Sequence, residues 1–284
     1  MTRKKATLWI TDPWNTLDHP NDTSLRLAEE GLKLGIPQYW CDVRSIRLDY
    51  SEAKLDAQQI LHPLQILAIG LEGSKKTELV NPLSVLLQGN EKMEAAFLRK
   101  AKLFPPSLVS SQWDKLREFG KKHGRTVLKP LYEAQSHGVE LLDWSKEDRV
   151  QNAKLLLSAA THGFYQPVLL QSYLEGISKG ETRLWFLDGK LLAAVKKLPV
   201  SGDFRVNIDQ GSQLQKTKLN RAEKLAALKI ASYLRSRKIR LAAVDLIEGW
   251  VTDFNFTSPG LITKMEPLLG LNLARTIVKR LSRA

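Results

Sequence analysis

The chain has 284 residues, enough to bury a sizeable core in two or three subdomains. Its 43% hydrophobic and 26% charged residues exclude a disordered chain, and no apolar run reaches membrane length. The net charge of +13 raises two kinds of partner, nucleic acid and anionic small molecules. The basic residues are spread along the chain, densest at 216–224 and 235–240, without zinc-knuckle spacing or an aromatic RNA-binding signature. Nucleic acid is therefore not the expected partner. The basic start is followed by an apolar run too short for a signal peptide. Cys41 is the only cysteine, so no intrachain disulfide forms, and a reducing cytoplasm is the expected location.

In chain order, residues 6–10 form an apolar strand and 24–34 a helix, with Asp22 or Thr23 as cap and Gly35 as stop. Residues 37–43 and 64–70 are further strands, and 71–85 is loop-like. Strand–helix–strand order predicts a small, mostly parallel α/β unit. A helix runs from Asn90 to about Lys102, before Pro105 and Pro106. Residues 111–124 form an amphipathic helix, 126–131 a strand, 145–161 a helix and 167–174 a strand. Asp188-Gly189 between apolar runs is a strong hairpin signal. A helix at 219–238, a second hairpin and a helix near 269–282 complete the chain, giving an α/β fold with an antiparallel sheet in its C-terminal half.

The second hairpin carries the main candidate site. Asp253 and Asn255 are two apart, so in a strand they share a face. A two-residue loop would pair Asp245 with Thr252 and put the aspartates on opposite faces. A three-residue loop at 248–250, which Gly249 permits, would set Asp245 opposite Asp253. Facing carboxylates repel unless a cation lies between them, and two carboxylates with an amide suit Mg²⁺ beside phosphates. Lys129, at the end of a strand, suits a phosphate. Lys92 opens a helix, where a cation opposes the dipole. Arg183, Arg205 and Asn207 form a second group, with guanidinium forks that match carboxylate or phosphate oxygens. The histidines His19, His62, His123, His137 and His162 lack metal or triad spacing, and there is no Walker A, G-x-G-x-x-G or G-x-S-x-G motif.

The order NEK, LKP, QSYL, ETR with the DG hairpin, KLP, FRVN, VD and DFNFTSPG resembles the ATP-grasp superfamily, and within it prokaryotic glutathione synthetase. The resemblance is good from about 90 to 275 and fainter at ITDP and NDTS near the start. It implies an ATP-grasp fold with an N-terminal Rossmann-like pre-ATP-grasp domain at 1–89, a central subdomain at 90–168 and a C-terminal subdomain at 169–284. It implies that Lys92 and Lys129 contact ATP phosphates, and that Gln171, Tyr173 and Leu174 line the adenine pocket. The resemblance also implies that Glu181 binds the ribose or lies near it, that Asp245, Asp253 and Asn255 hold Mg²⁺ or Mn²⁺, and that Arg183, Arg205 and Asn207 stabilise the phosphoryl group and acyl phosphate. The implied reaction joins γ-glutamylcysteine to glycine through an acyl phosphate, in a protein that can be a homo-oligomer. The rival readings are a ligase for another acid–amine pair and a non-catalytic nucleotide- or nucleic-acid-binding protein on the same scaffold.

The sequence departs from that pattern in several places. Asp253 replaces a glutamate, and Lys197 replaces an arginine. The loop after LKP, Tyr132 to Gly138, has one glycine, and the segment NIDQGS is also poor in glycine. The segment before NEK is short and lacks the family's R-K-D-P-P-F-D run.

Overall fold

The computed structural model describes residues 6–42, 79–82, 84–85, 90–93, 102–131, 137–200, 204–206, 208 and 211–282. The strand expected at 64–70, most of 71–85, and 94–101 of the helix expected from Asn90 lie outside the described residues.

At the N-terminus, β1 (Thr7–Thr11) and β2 (Gln38–Asp42) pair in parallel around α1 (Thr23–Lys33). The Asp22 side chain accepts the Leu25 backbone N–H at 2.9 Å, which caps α1, and Gly35 ends the unit in the left-handed region at φ 67°.

A four-stranded antiparallel sheet follows, in the order β3 (Ser107–Ser110), β6 (Val168–Ser172), β4 (Arg125–Pro130), β5 (Glu140–Asp143). Two helices, α2 (Trp113–His123) and α3 (Glu147–Ala160), cover it, and Leu116, Leu128, Leu142, Trp144 and Leu157 form its buried core.

The second antiparallel sheet has the order β11 (Trp250–Asn255), β10 (Leu241–Ile247), β7 (Glu181–Leu187), β8 (Lys190–Leu198), β9 (Gln213–Lys216). The chain passes from one sheet to the other between Ser172 and Glu181.

All seven residues of β10 are buried, because this strand lies inside the sheet and both its faces are covered. One face packs Leu184, Phe186 and Val244 under α4 (Arg221–Ser236). Asn220 and Glu223 close a reciprocal capping box at the start of α4, and Glu223 also accepts the Thr182 hydroxyl at 2.7 Å. On the other face Trp185, Ala243 and Leu241 pack with residues of α1, α5 (Ile262–Leu269) and α6 (Leu273–Leu281). Towards the start of β7 this second face turns polar, since Arg183 and Glu181 alternate in register with Trp185 and Leu187. Among the described residues no helix is long and apolar enough to cross a membrane.

Candidate active site

The polar end of that face is set by the β10–β11 hairpin. It turns at Glu248 and Gly249, with φ 50° and 87°, and Leu246 pairs with Val251. The register then shifts, and Asp245 pairs with Asp253. The turn has two residues, yet the two aspartates face each other, because Thr252 is the extra residue of a β-bulge. The two loop lengths considered from sequence therefore combine: the shorter loop is present and a bulge restores the facing pair.

Three contacts hold the bulge. The Thr252 hydroxyl donates to Glu181 Oε1 at 2.7 Å and lies 3.2 Å from the Asp245 carbonyl oxygen. The Thr252 carbonyl accepts from Lys129 Nζ at 2.8 Å. Lys129 stands on β4 of the other sheet, so its ammonium spans the gap between the two sheets.

Behind the bulge lies a buried ion network. Arg183 Nε and Nη2 donate to Asp245 Oδ1 and Oδ2 at 2.8 and 2.6 Å. Lys197 Nζ lies 3.0 Å from Asp245 Oδ2 and 2.6 Å from Glu181 Oε2. Gly180 makes room for this crossing: a Cβ there would stand 2.6 Å from the Lys197 carbonyl oxygen. Burial by itself would raise the Asp245 carboxyl, but the Arg183 and Lys197 charges override it and hold it well below the usual carboxylate range. Burial likewise opposes the Arg183 charge, and Asp245 outweighs it, so that guanidinium stays protonated.

Asp253 is placed differently. It is half-buried, accepts the Phe254 backbone N–H at 3.1 Å and has no ion-pair partner among the described residues. Burial pushes its carboxyl up to about 6; the Asp245 and Glu91 charges add to this, while Lys129 and Lys92 oppose it. Beside it, the Asn255 Nδ2 is buried with no hydrogen-bond partner among the described residues. An uncompensated carboxylate next to an orphaned amide N–H is the combination that a cation and an anionic oxygen together would satisfy.

These residues fit a divalent cation bound with phosphate. Asp253 and Asn255 would supply the carboxylate and amide oxygens. Asp245 would contribute only what its ion pairs leave over. Among the described residues no three His, Cys, Asp or Glu side chains gather into a metal cluster, so the protein would supply only part of the coordination.

Of the other candidates, Lys92 is near enough for its charge to act on Asp253. Lys92 sits at the start of the helix at 91–93, its backbone N–H accepted by Asn90 Oδ1 at 3.1 Å. Gln171 is buried on β6 and reaches Ser107 Oγ at 3.3 Å. The Tyr173 backbone N–H donates to the Arg125 carbonyl at 3.0 Å, and its ring lies 4.5 Å below the Arg125 guanidinium, which also pairs with Glu175. Burial, with the Glu175 charge, raises the Tyr173 phenol. Leu174 precedes the short 3₁₀ turn Glu175–Lys179 that leads into β7.

Both oxygens of Glu181 are engaged, by Lys197 and Thr252, within the buried network. Arg183 is likewise bound to Asp245. Arg205 has its guanidinium 5.8 Å from the Phe204 ring, and Asn207 lies outside the described residues.

Thr252 and Glu91 were not singled out from sequence, although Glu91 is the middle residue of NEK. Only the lysine of that motif suggested chemistry by its charge.

The two facing antiparallel sheets, with a lysine reaching from one to a carboxylate-bearing hairpin of the other, define an ATP-grasp fold. Solved structures share it over nearly the whole chain. D-cycloserine synthetase DcsG matches with a TM-score of 0.70 at 21% identity, covering 98% of this chain and 99% of that one. The ATP-grasp ligase PsnB, complexed with minimal precursor, matches with a TM-score of 0.66 at 15% identity, covering 97% and 98%.

Residues 91–270 match the prokaryotic glutathione synthetase ATP-grasp domain, and the chain belongs to that family. The glutathione synthetase of Nostoc sp. (strain PCC 7120 / SAG 25.82 / UTEX 2576) is 32% identical over 205 residues, 72% of this chain and 61% of that protein. The chain thus matches about three-fifths of the length of such relatives.

Proposed function

We propose that this protein is an ATP-dependent ligase that joins a carboxylate to an amine through an acyl phosphate, with γ-glutamylcysteine as the acid and glycine as the amine. The observation that carries the reading is the bulged hairpin, with Asp253 uncompensated, Asn255 unsatisfied and Lys129 reaching in from the opposite sheet. Lys92 and Lys129 would hold the ATP phosphates, and Gln171, Tyr173 and Leu174 would line the adenine end. Asp253 and Asn255, with Asp245, would hold Mg²⁺, which when bound neutralises phosphate oxygens. Arg205 and Asn207 would meet the acid and its transferring phosphoryl group. The work of the protein's own residues is positioning and charge compensation, which suits phosphoryl transfer. The buried Arg183–Asp245–Lys197–Glu181 network would hold the hairpin rigid while substrates exchange.

A second reading keeps the reaction and changes the substrates. Lys197 stands where the resemblance leads to an arginine, and it is buried between two carboxylates. A lysine is a point charge without the bidentate fork, so the neighbouring pocket would differ in the acid it accepts.

The test is ADP release by the purified protein with Mg-ATP and a panel of acids and amines. Release that requires γ-glutamylcysteine and glycine together supports the first reading. Release with another pair only supports the second. No ADP with any pair overturns both.

A further inference from the structure

Glu91 lies between the capping Asn90 and the candidate phosphate ligand Lys92, and its carboxylate is bound to backbone. One oxygen, Oε1, accepts two consecutive backbone N–H groups, those of Phe256 at 2.6 Å and Thr257 at 2.7 Å. These residues directly follow Asn255. The Phe256 carbonyl is held from another side by Asn81 Nδ2 at 2.7 Å, and its ring is buried in the core under α4. Asn90 fixes the same short segment to the other sheet, donating from Nδ2 to the Leu131 carbonyl at 2.6 Å, just beyond the end of β4. Residues 90 and 91 therefore tie the end of β4 to the end of β11, and Lys129 makes a second tie between the same two strands.

We propose that Glu91 is a positioning residue, which sets Asn255 and Lys92 at a fixed separation and so makes the Mg-nucleotide site; this rests on the ATP-dependent reading above. The clamp acts through the reach of the side chain. A carboxylate accepts two N–H groups on one oxygen without needing its charge for geometry. In the metal-free protein that charge adds to the repulsion at Asp253. Reach and charge can therefore be separated by substitution. Glu91→Gln keeps the length and an acceptor oxygen and removes the charge. Glu91→Asp keeps the charge and withdraws the oxygen by one methylene.

Two measurements test this. Amide hydrogen exchange on the nucleotide-free protein reads the clamp directly. Phe256 and Thr257 should stay protected in E91Q and exchange faster in E91D. Calorimetric titration with Mg-ADP reads its consequence. E91D should bind about 10–100-fold more weakly, the range found when a group supporting metal ligands is lost, and E91Q should stay near the parent protein. Unchanged protection or unchanged affinity in E91D overturns the proposal. Equal weakening in both variants also overturns it, because the charge and not the reach would then matter. If the parent protein does not bind Mg-ADP, the ATP-dependent reading itself fails. That outcome is distinct from a parent protein that binds alongside an E91D that binds equally well.

Discussion

The β7–β8 hairpin turns at Asp188–Gly189, with φ 48° and 67°, and the β10–β11 hairpin turns at Glu248–Gly249, with φ 50° and 87°. Both are two-residue turns with two left-handed positions, which match the twist of paired strands. Both also carry a one-residue register shift a few residues from the turn, at Leu192 in the first and Thr252 in the second. The bulge in β7–β8 sits beside Trp185 and Ala193, within an apolar core. The bulge in β10–β11 sits beside Asp245 and Asp253 and brings two carboxylates face to face. The same backbone device is thus indifferent to chemistry; the residues on either side of the bulge decide what it serves.

The acidic residues of the two hairpins differ in the same way. Asp188 lies near the surface and is bound by Arg240 at 2.8 Å and Arg280 at 2.7 Å. Asp245 is buried and bound by Arg183 and Lys197. Both carboxyls are held below their usual range, Asp188 chiefly by its hydrogen bond from Arg240 and Asp245 by cations that overcome its burial. Their energetic worth should differ, because water screens the first set and not the second.

The largest effect is expected from deleting Thr252. Asp245 would still face Asp253 in a regular ladder, but the bulge and its contacts would go, and Glu181 would lose the Thr252 hydroxyl and Lys129 the Thr252 carbonyl, at a cost on the order of 5 kcal/mol. Denaturant unfolding should show the loss, and calorimetry should show weakened Mg-ADP binding. Next is Asp245→Asn, which leaves Arg183 and Lys197 with a single carboxylate between them. It should lower stability by about 3–5 kcal/mol, and a denaturation midpoint within error of the parent protein would contradict the buried-network assignment.

Asp253→Asn should have the opposite sign. Its folded pKa of about 6 lies above the usual 3.8, so ionising it disfavours the fold. In metal-free buffer the parent protein should lose stability as pH rises through the window from 3.8 to about 6, and the variant should not. At pH 7 the variant should be more stable by roughly 1–2 kcal/mol, yet inactive in the ADP assay. Asp188→Asn should have the smallest effect, at most about 1 kcal/mol, and less still in high salt. Its contribution is present above the usual carboxylate value and disappears as pH falls through the lowered folded value, which an acid titration of unfolding would reveal.

Much of the fold could be read from residue pattern. The helix after Asp22, the Asp188–Gly189 hairpin and the apolar run of β10 are local signals and stand close to where pattern puts them. Three short strands carry no such pattern: Ser107–Ser110, Glu140–Asp143 and Gln213–Lys216. Each has four residues and lies at the edge of its sheet, where one side is open and no long apolar alternation is needed. The helix Ile262–Leu269 is equally hidden in the pattern, because it contains Pro267, which weakens any helical signal.

For the site, the sequence by itself determined which groups are available and some of their phase: Asp253 and Asn255 on one face, a lysine ending β4, and glycine where a tight turn needs a left-handed position. Only the tertiary structure decided how those groups are used. The bulge at Thr252 is held by Glu181, 71 residues away, and Asp245 is neutralised by Arg183 and Lys197, 62 and 48 residues away. Charges so distant in sequence meet only once the sheet has formed. Their pairing leaves Asp253 half-buried and without an ion-pair partner among the described residues.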